Sequence, residues 1–82
     1  MNNDFYRSVG RQIREVRIQR GLNQLQLADS VGISQHVLSL IEDGFATPHH
    51  DKILDIQNYL DTVFILENKK TIESYLKENT LK

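Results

Sequence analysis

The chain has 82 residues, with ten Lys and Arg against eleven Asp and Glu, three His and no cysteine. That length suits one small domain. The lack of cysteine excludes a disulfide framework and a thiolate metal centre, and no run of about 18 apolar residues is present to span a membrane. The opening Met-Asn-Asn-Asp lacks the basic and apolar regions of a secretory signal, so the expected location is the cytoplasm, most simply a bacterial one.

The first predicted element is a helix over 4–20. Phe5, Val9, Ile13 and Val16 recur at helical spacing, and Gly21 stops it. A second helix is predicted over 24–31. Asn23 is a suitable N-cap and Gln26 completes a capping-box pattern, while Leu25, Leu27, Ala28 and Val31 supply the apolar stripe. Gly32 gives the left-handed turn that reverses the chain. A third helix over 35–43 follows, capped by Ser34, with Val37, Leu38 and Ile41 apolar and Gly44 at its end. Thr47-Pro48 opens a fourth helix over 48–60, Thr as cap and Pro at the first helical position, with Ile53, Leu54, Ile56, Tyr59 and Leu60 facing the core.

Residues 62–67 change character. Val63-Phe64-Ile65-Leu66 is a continuous apolar run between polar turn formers, which favours a strand. No other segment offers it a partner, so a second copy of the chain is the economical one. Lys70 to Asn79 reads as a short amphipathic helix around Ile72, Tyr75 and Leu76, and residues 80–82 as a frayed end. The expected fold is therefore mainly α: four helices, then a β-strand and a short helix. Residues 1–61 form the helical domain and 62–82 an extension for dimerisation through Val63, Phe64, Ile65 and Leu66.

Charge is unevenly spread. Residues 1–21 hold Arg7, Arg11, Arg14, Arg17 and Arg20 against Asp4 and Glu15, whereas residues 22–50 hold no Lys or Arg and the acids Asp29, Glu42 and Asp43. Residues 51–82 hold five Lys against six acids. Two helices crossing at a Gly turn form a helix-turn-helix, whose second helix can enter a DNA major groove. The bare charge of 35–43 then argues for reading bases by hydrogen bonds, with the positive field coming from the first helix.

Three runs carry a family resemblance: Arg17-Ile-Gln-Arg-Gly-Leu-Asn-Gln-Leu-Gln-Leu-Ala28, Val31-Gly-Ile-Ser-Gln35 and Ile41-Glu-Asp-Gly44. In order and spacing they resemble the Cro/C1-type, XRE-like helix-turn-helix domain of lambdoid phage repressors over residues 10–60. The resemblance implies a lambda-repressor-like bundle that binds double-stranded DNA. Gln24 matches a residue that contacts a phosphate and braces the reading helix; Asn23, otherwise a cap, stands beside it. Gln35 matches a base reader, and glutamine can pair bidentately with adenine. His36 and Ser39 share its side of the helix, and Ser34 is at least a cap. Leu40 departs from the family's usual polar residue there and could meet a thymine methyl. Asp43 also departs, since a carboxylate repels phosphate. Arg17 and Glu42 match a partly buried structural ion pair. Arg11 and Arg20 are candidates for phosphate contacts or for a solvated face.

The apolar segment after the fourth helix resembles that of HipB-type antitoxins, whose strand pairs across a two-fold axis. That likeness implies a partner toxin, a HipA-like kinase. His49-His50-Asp51 invites a metal reading, but adjacent helical histidines diverge and no third ligand is in register, so no metal and no cofactor is expected. No nucleophile–base pair and no phosphate-cradling loop is present, so no enzyme activity is expected. The chain reads as a homodimeric repressor of a palindromic operator, autoregulating a toxin–antitoxin operon. A phage-type or stand-alone regulator without a toxin, and a protein-binding adaptor that has lost DNA binding, remain open.

If the segment around Ile65 joins two copies, Ile65→Lys buries an unpaired charge, which costs several kcal/mol. The expected outcome in analytical ultracentrifugation is a dimeric wild type and a monomeric variant. A wild type that stays monomeric at tens of micromolar refutes this assembly.

Overall fold

The computed structural model describes residues 3–64, the side chains from residue 7. Four helices follow in order: α1 Asn3–Gln19, α2 Gln24–Val31, α3 Gln35–Glu42 and α4 His50–Leu60. Helix α3 packs on both α1 and α2, and α4 closes against α2 and α1.

The core is drawn from every helix and from the chain beyond α4. Val9 and Ile13 come from α1, Leu27, Ala28 and Val31 from α2, Leu38 and Ile41 from α3, Ile53, Ile56 and Leu60 from α4, and Phe64 from the segment after it. Some apolar residues expected in this core point outward: Leu25, Val37 and Tyr59 are exposed. At 100° per residue, Leu25 lies well off the face centred on Leu27, Ala28 and Val31, and Tyr59 off that centred on Ile53, Ile56 and Leu60. The polar Gln57 takes the inward place on α4 and is buried. Its Oε1 accepts the backbone N–H of Phe64 at 3.1 Å, which turns the chain back so that Phe64 enters the core.

The helix ends share one hydrogen-bond device. At the α2–α3 turn, Ile33 N–H reaches Ala28 O at 3.0 Å while Gly32 N–H reaches Asp29 O at 3.4 Å. That paired bonding needs a left-handed residue, and Gly32 has φ 77°. The same pairing closes α4, where the left-handed residue is Asp61. Helix α4 itself begins later than Thr47-Pro48 suggests. His49 is its N-cap, with Nδ1 accepting from Asp51 N–H at 3.4 Å. Pro48 is buried just before the cap and Ile53 is buried at the fourth helical position, the arrangement of a hydrophobic staple. The expected ends of α1 and α3 each shift inward by one residue, to Gln19 and Glu42.

Among the described residues there is no strand. Thr62, Val63 and Phe64, the described part of the expected strand, form no ladder, with Val63 exposed and Phe64 buried. Ile65, Leu66, the rest of that strand and the expected helix over 70–79 lie outside the described residues. No helix among the described residues is long and apolar enough to cross a membrane.

Gly10 fixes how closely α1 and α3 approach. A Cβ there would lie 2.1 Å from Ile41 O and 3.3 Å from Glu42 Cα, so backbone meets backbone. Gly10→Ala gains about 1 kcal/mol in helix propensity, but the forced separation of two helices costs about 1–3 kcal/mol or more. Urea unfolding is expected to show a net loss of stability. A variant as stable as wild type would mean that the helices do not approach this closely.

Candidate nucleic-acid interface

The helix-turn-helix unit is α2, residues 32–34 and α3. Both helices begin with side-chain caps. Asn23 Oδ1 accepts from Gln26 N–H at 2.8 Å, and Gln26 Oε1 accepts from Asn23 N–H at 2.8 Å. Ser34 Oγ accepts from Val37 N–H at 3.0 Å. The oxygens of Asn23 and Ser34 thus hold helix ends in place. Lys52 reaches back from α4 to Val31 O at 2.6 Å, placing a cation at the C-terminus of α2.

The outer face of α3 carries Gln35, His36 and Val37, all exposed, with Ser39 and Leu40 half-buried beside them. Gln35 and His36 make no hydrogen bond among the described residues, so their donors and acceptors face solvent. Val37 adds an aliphatic contact that sequence reading placed in the core. Its position one residue before Leu38, on the flank of the apolar arc, was the signal. Leu40 O accepts from both Phe45 N–H at 2.8 Å and Ala46 N–H at 3.2 Å, which pins the turn after α3.

Behind this face lies a buried carboxylate. Arg17 Nε donates to Glu42 Oε2 at 2.7 Å and its Nη2 to Oε1 at 3.0 Å, a two-pronged pair with the Glu42 side chain fully enclosed. Arg17 Nη1 also donates to Leu22 O at 2.9 Å in the α1–α2 connection. Gln24 Nε2 donates to Glu42 Oε1 at 3.1 Å, so the first residue of α2 braces the last residue of α3. Arg14 Nε reaches the same oxygen at 3.5 Å, and its Nη2 is paired with Asp43. The hydrogen bond to Asp43 is the largest influence holding the Arg14 guanidinium above its usual range.

This network changes the charge reading of α1. Arg20 donates to Leu60 O at 3.1 Å and Asp61 O at 3.3 Å, closing the C-terminus of α4, whose last turn has no basic residue. Arg17 is buried and Arg14 is held by Asp43 and Glu42. Arg7 and Arg11 are exposed and make no hydrogen bond among the described residues. Asp43 therefore does not stand as a bare negative charge. The Arg14–Asp43 pair is a contact sequence reading missed. Its signal was register: Arg14 is one turn before Arg17, and Asp43 directly follows Glu42.

His49 and His50 stand outside the unit, with ring centroids 6.4 Å apart and planes tilted by 54°. Among the described residues, no group of three His, Cys, Asp or Glu side chains could hold a metal.

A family model described as a helix-turn-helix domain matches residues 10–79. The matched span starts inside α1, contains α2, α3 and α4, and continues past them. No curated protein matches the chain.

Removing one partner of a buried, hydrogen-bonded ion pair leaves the other uncompensated, at about 3–5 kcal/mol. Glu42→Ala should therefore leave the domain largely unfolded in equilibrium denaturation. The double variant Arg17→Met, Glu42→Leu should cost far less than the two single changes together. Additive losses would show that the two groups do not act as a pair.

Proposed function

The chain belongs to the helix-turn-helix domain family of the XRE type, and from that premise we propose that it is a sequence-specific transcriptional repressor, without enzymatic activity, that works in the cytoplasm. The observation that carries this reading is the outer face of α3. Gln35 and His36 are exposed and uncommitted at the start of a helix capped by Ser34 and anchored through Glu42. Side chains in that place reach base edges in a major groove. Gln35 supplies the paired donor and acceptor that match adenine, and Val37 or Leu40 an aliphatic surface for a thymine methyl. Gln24, at the start of α2, is the residue for a phosphate. Its Nε2 is given to Glu42, which leaves its orientation set in advance. The protein acts as a homodimer on a palindromic operator, its two reading helices about 34 Å apart, because a single helix of eight residues touches too few base pairs to select a site in a genome.

A second reading adds a protein partner. Phe45 is 81% exposed although the backbone around it is pinned to Leu40 O, and large aromatic side chains held in solvent suit protein contacts. Under this reading the protein is a HipB-type antitoxin that also holds a toxin, a HipA-like kinase. Phe45→Ser would then leave operator binding intact and release the toxin.

The DNA reading is tested by selecting a preferred duplex from a random pool and titrating wild type and variants at two salt concentrations. Gln35→Ala is expected to lose roughly 1–3 kcal/mol on the preferred site and to relax selectivity at one base pair. Gln24→Ala should weaken all duplexes alike. Equal effects of both changes on preferred and scrambled DNA would remove Gln35 as a base reader.

A further inference from the structure

The Arg14–Asp43 pair lies at the solvent edge of the interface. Both side chains face solvent, at 44% and 43% exposed. An exposed pair of this kind is worth about 0–1 kcal/mol, so exchanging its partner costs little. Its location is specific. Arg14 Nε and Gln24 Nε2 approach the same oxygen of Glu42, at 3.5 Å and 3.1 Å, so Arg14 sits beside the start of α2 as well as the end of α3.

Arg14 also belongs to a stripe. Arg7, Arg11 and Arg14 stand four and three residues apart on α1, within one narrow arc of the helix. The stripe faces the end of α3: a Cβ on Gly44 would lie 3.3 Å from Arg7 Cγ, while Arg14 reaches Asp43. Arg17 in the helix and Arg20 just past its end are turned to Glu42 and to the end of α4. Where the N-terminal residues of a reading helix meet the bases, its C-terminal end comes to the backbone, so groups just beyond the end of α3 stand near phosphates when α3 occupies a groove.

Resting on the DNA-binding reading above, we propose that Arg7, Arg11 and Arg14 form a phosphate-binding strip on α1, and that Asp43 occupies Arg14 as an intramolecular stand-in for a DNA phosphate. Free protein holds Arg14 on Asp43. On DNA, a phosphate oxygen takes the Nη2 hydrogen bond, and Asp43 is left in solvent near the backbone. The acid lowers affinity for every sequence equally, so a larger share of the total affinity must come from α3 and its bases. Asp43 thus lowers occupancy of every sequence alike and leaves the preference among sequences to α3.

The test is fluorescence anisotropy on the selected duplex and on a scrambled one, between 50 and 300 mM salt, with Asp43→Asn, Asp43→Ser, Arg14→Ala and the double variant Arg14→Ala, Asp43→Asn. Thermal melting monitors folding. Either change at Asp43 is expected to tighten both duplexes by up to about fivefold, the worth of an exposed ion pair that binding no longer has to break. Arg14→Ala alone should weaken both duplexes. The double variant should lose the gain. Selective binding by wild type with no gain in affinity at Asp43 overturns the gate alone. A gain that persists without Arg14 overturns it too, since the effect would then be general repulsion. Failure of wild type and every variant to bind any duplex overturns the DNA reading, and the gate falls with it.

Discussion

The fold turns on one carboxylate. Glu42 is taken fully out of water, which costs several kcal/mol for an isolated ion, and it is kept there by donors from three places. Arg17 supplies two hydrogen bonds from α1, Gln24 one from α2, and Arg14 a longer one from the edge. No buried side-chain polar atom among the described residues lacks a partner. The donors come from α1 and α2 and the acid from α3, so satisfying the charge fixes three elements relative to one another. An apolar residue at this position could bury as well, but it would not specify the angle between α2 and α3. On the proposed function α3 is the helix offered to the groove, and that angle is what the function requires.

The remaining contacts extend the same logic outward. Gly10 lets α1 and α3 touch backbone to backbone, which brings Arg17 within reach of Glu42. Arg20 and Lys52 each place a cation on carbonyls at a helix end, Arg20 on α4 and Lys52 on α2. Gln57 does for the chain after α4 what Gln24 does for α3. A polar side chain on the inner face fixes a neighbouring segment through one hydrogen bond, and Phe64 follows into the core. Phe64 is thereby spent on its own chain, whereas the exposed Val63 remains available to other surfaces.

Much of this was readable in the sequence, where local chemistry decides the outcome. The bounds of α2 follow from Asn23, Gln26 and Gly32, which act within one turn of the chain, and the start of α3 follows from Ser34 in the same way. Where two signals competed, the sequence pointed the wrong way. Thr47-Pro48 is a sound helix start in isolation, but burial of Pro48 moves the cap to His49. Leu25 and Tyr59 are apolar but lie off the arcs that α2 and α4 bury, and their exposure shows that helical phase outweighs apolarity there. The partners of the arginines could not be read locally. Arg14 and Asp43 are 29 residues apart, and Arg20 lies 40 residues from the carbonyl it closes.

Those pairings set the electrostatics of the domain. Counted along the sequence, α1 is a basic helix beside a neutral reading helix, and the basic helix should dominate attraction to DNA. Counted in space, Arg17 is neutralised by Glu42, Arg14 is held by Asp43, and Arg20 is turned to carbonyls at the end of α4. The long-range field that steers a protein to any phosphate backbone is correspondingly small, and phosphate contacts carry position without sequence information. On the proposed DNA-binding function, a domain built this way depends more heavily on what Gln35, His36 and Val37 find in the groove. Weak general attraction and an uncharged reading face are then two aspects of one arrangement, in which binding to the wrong sequence has little to sustain it.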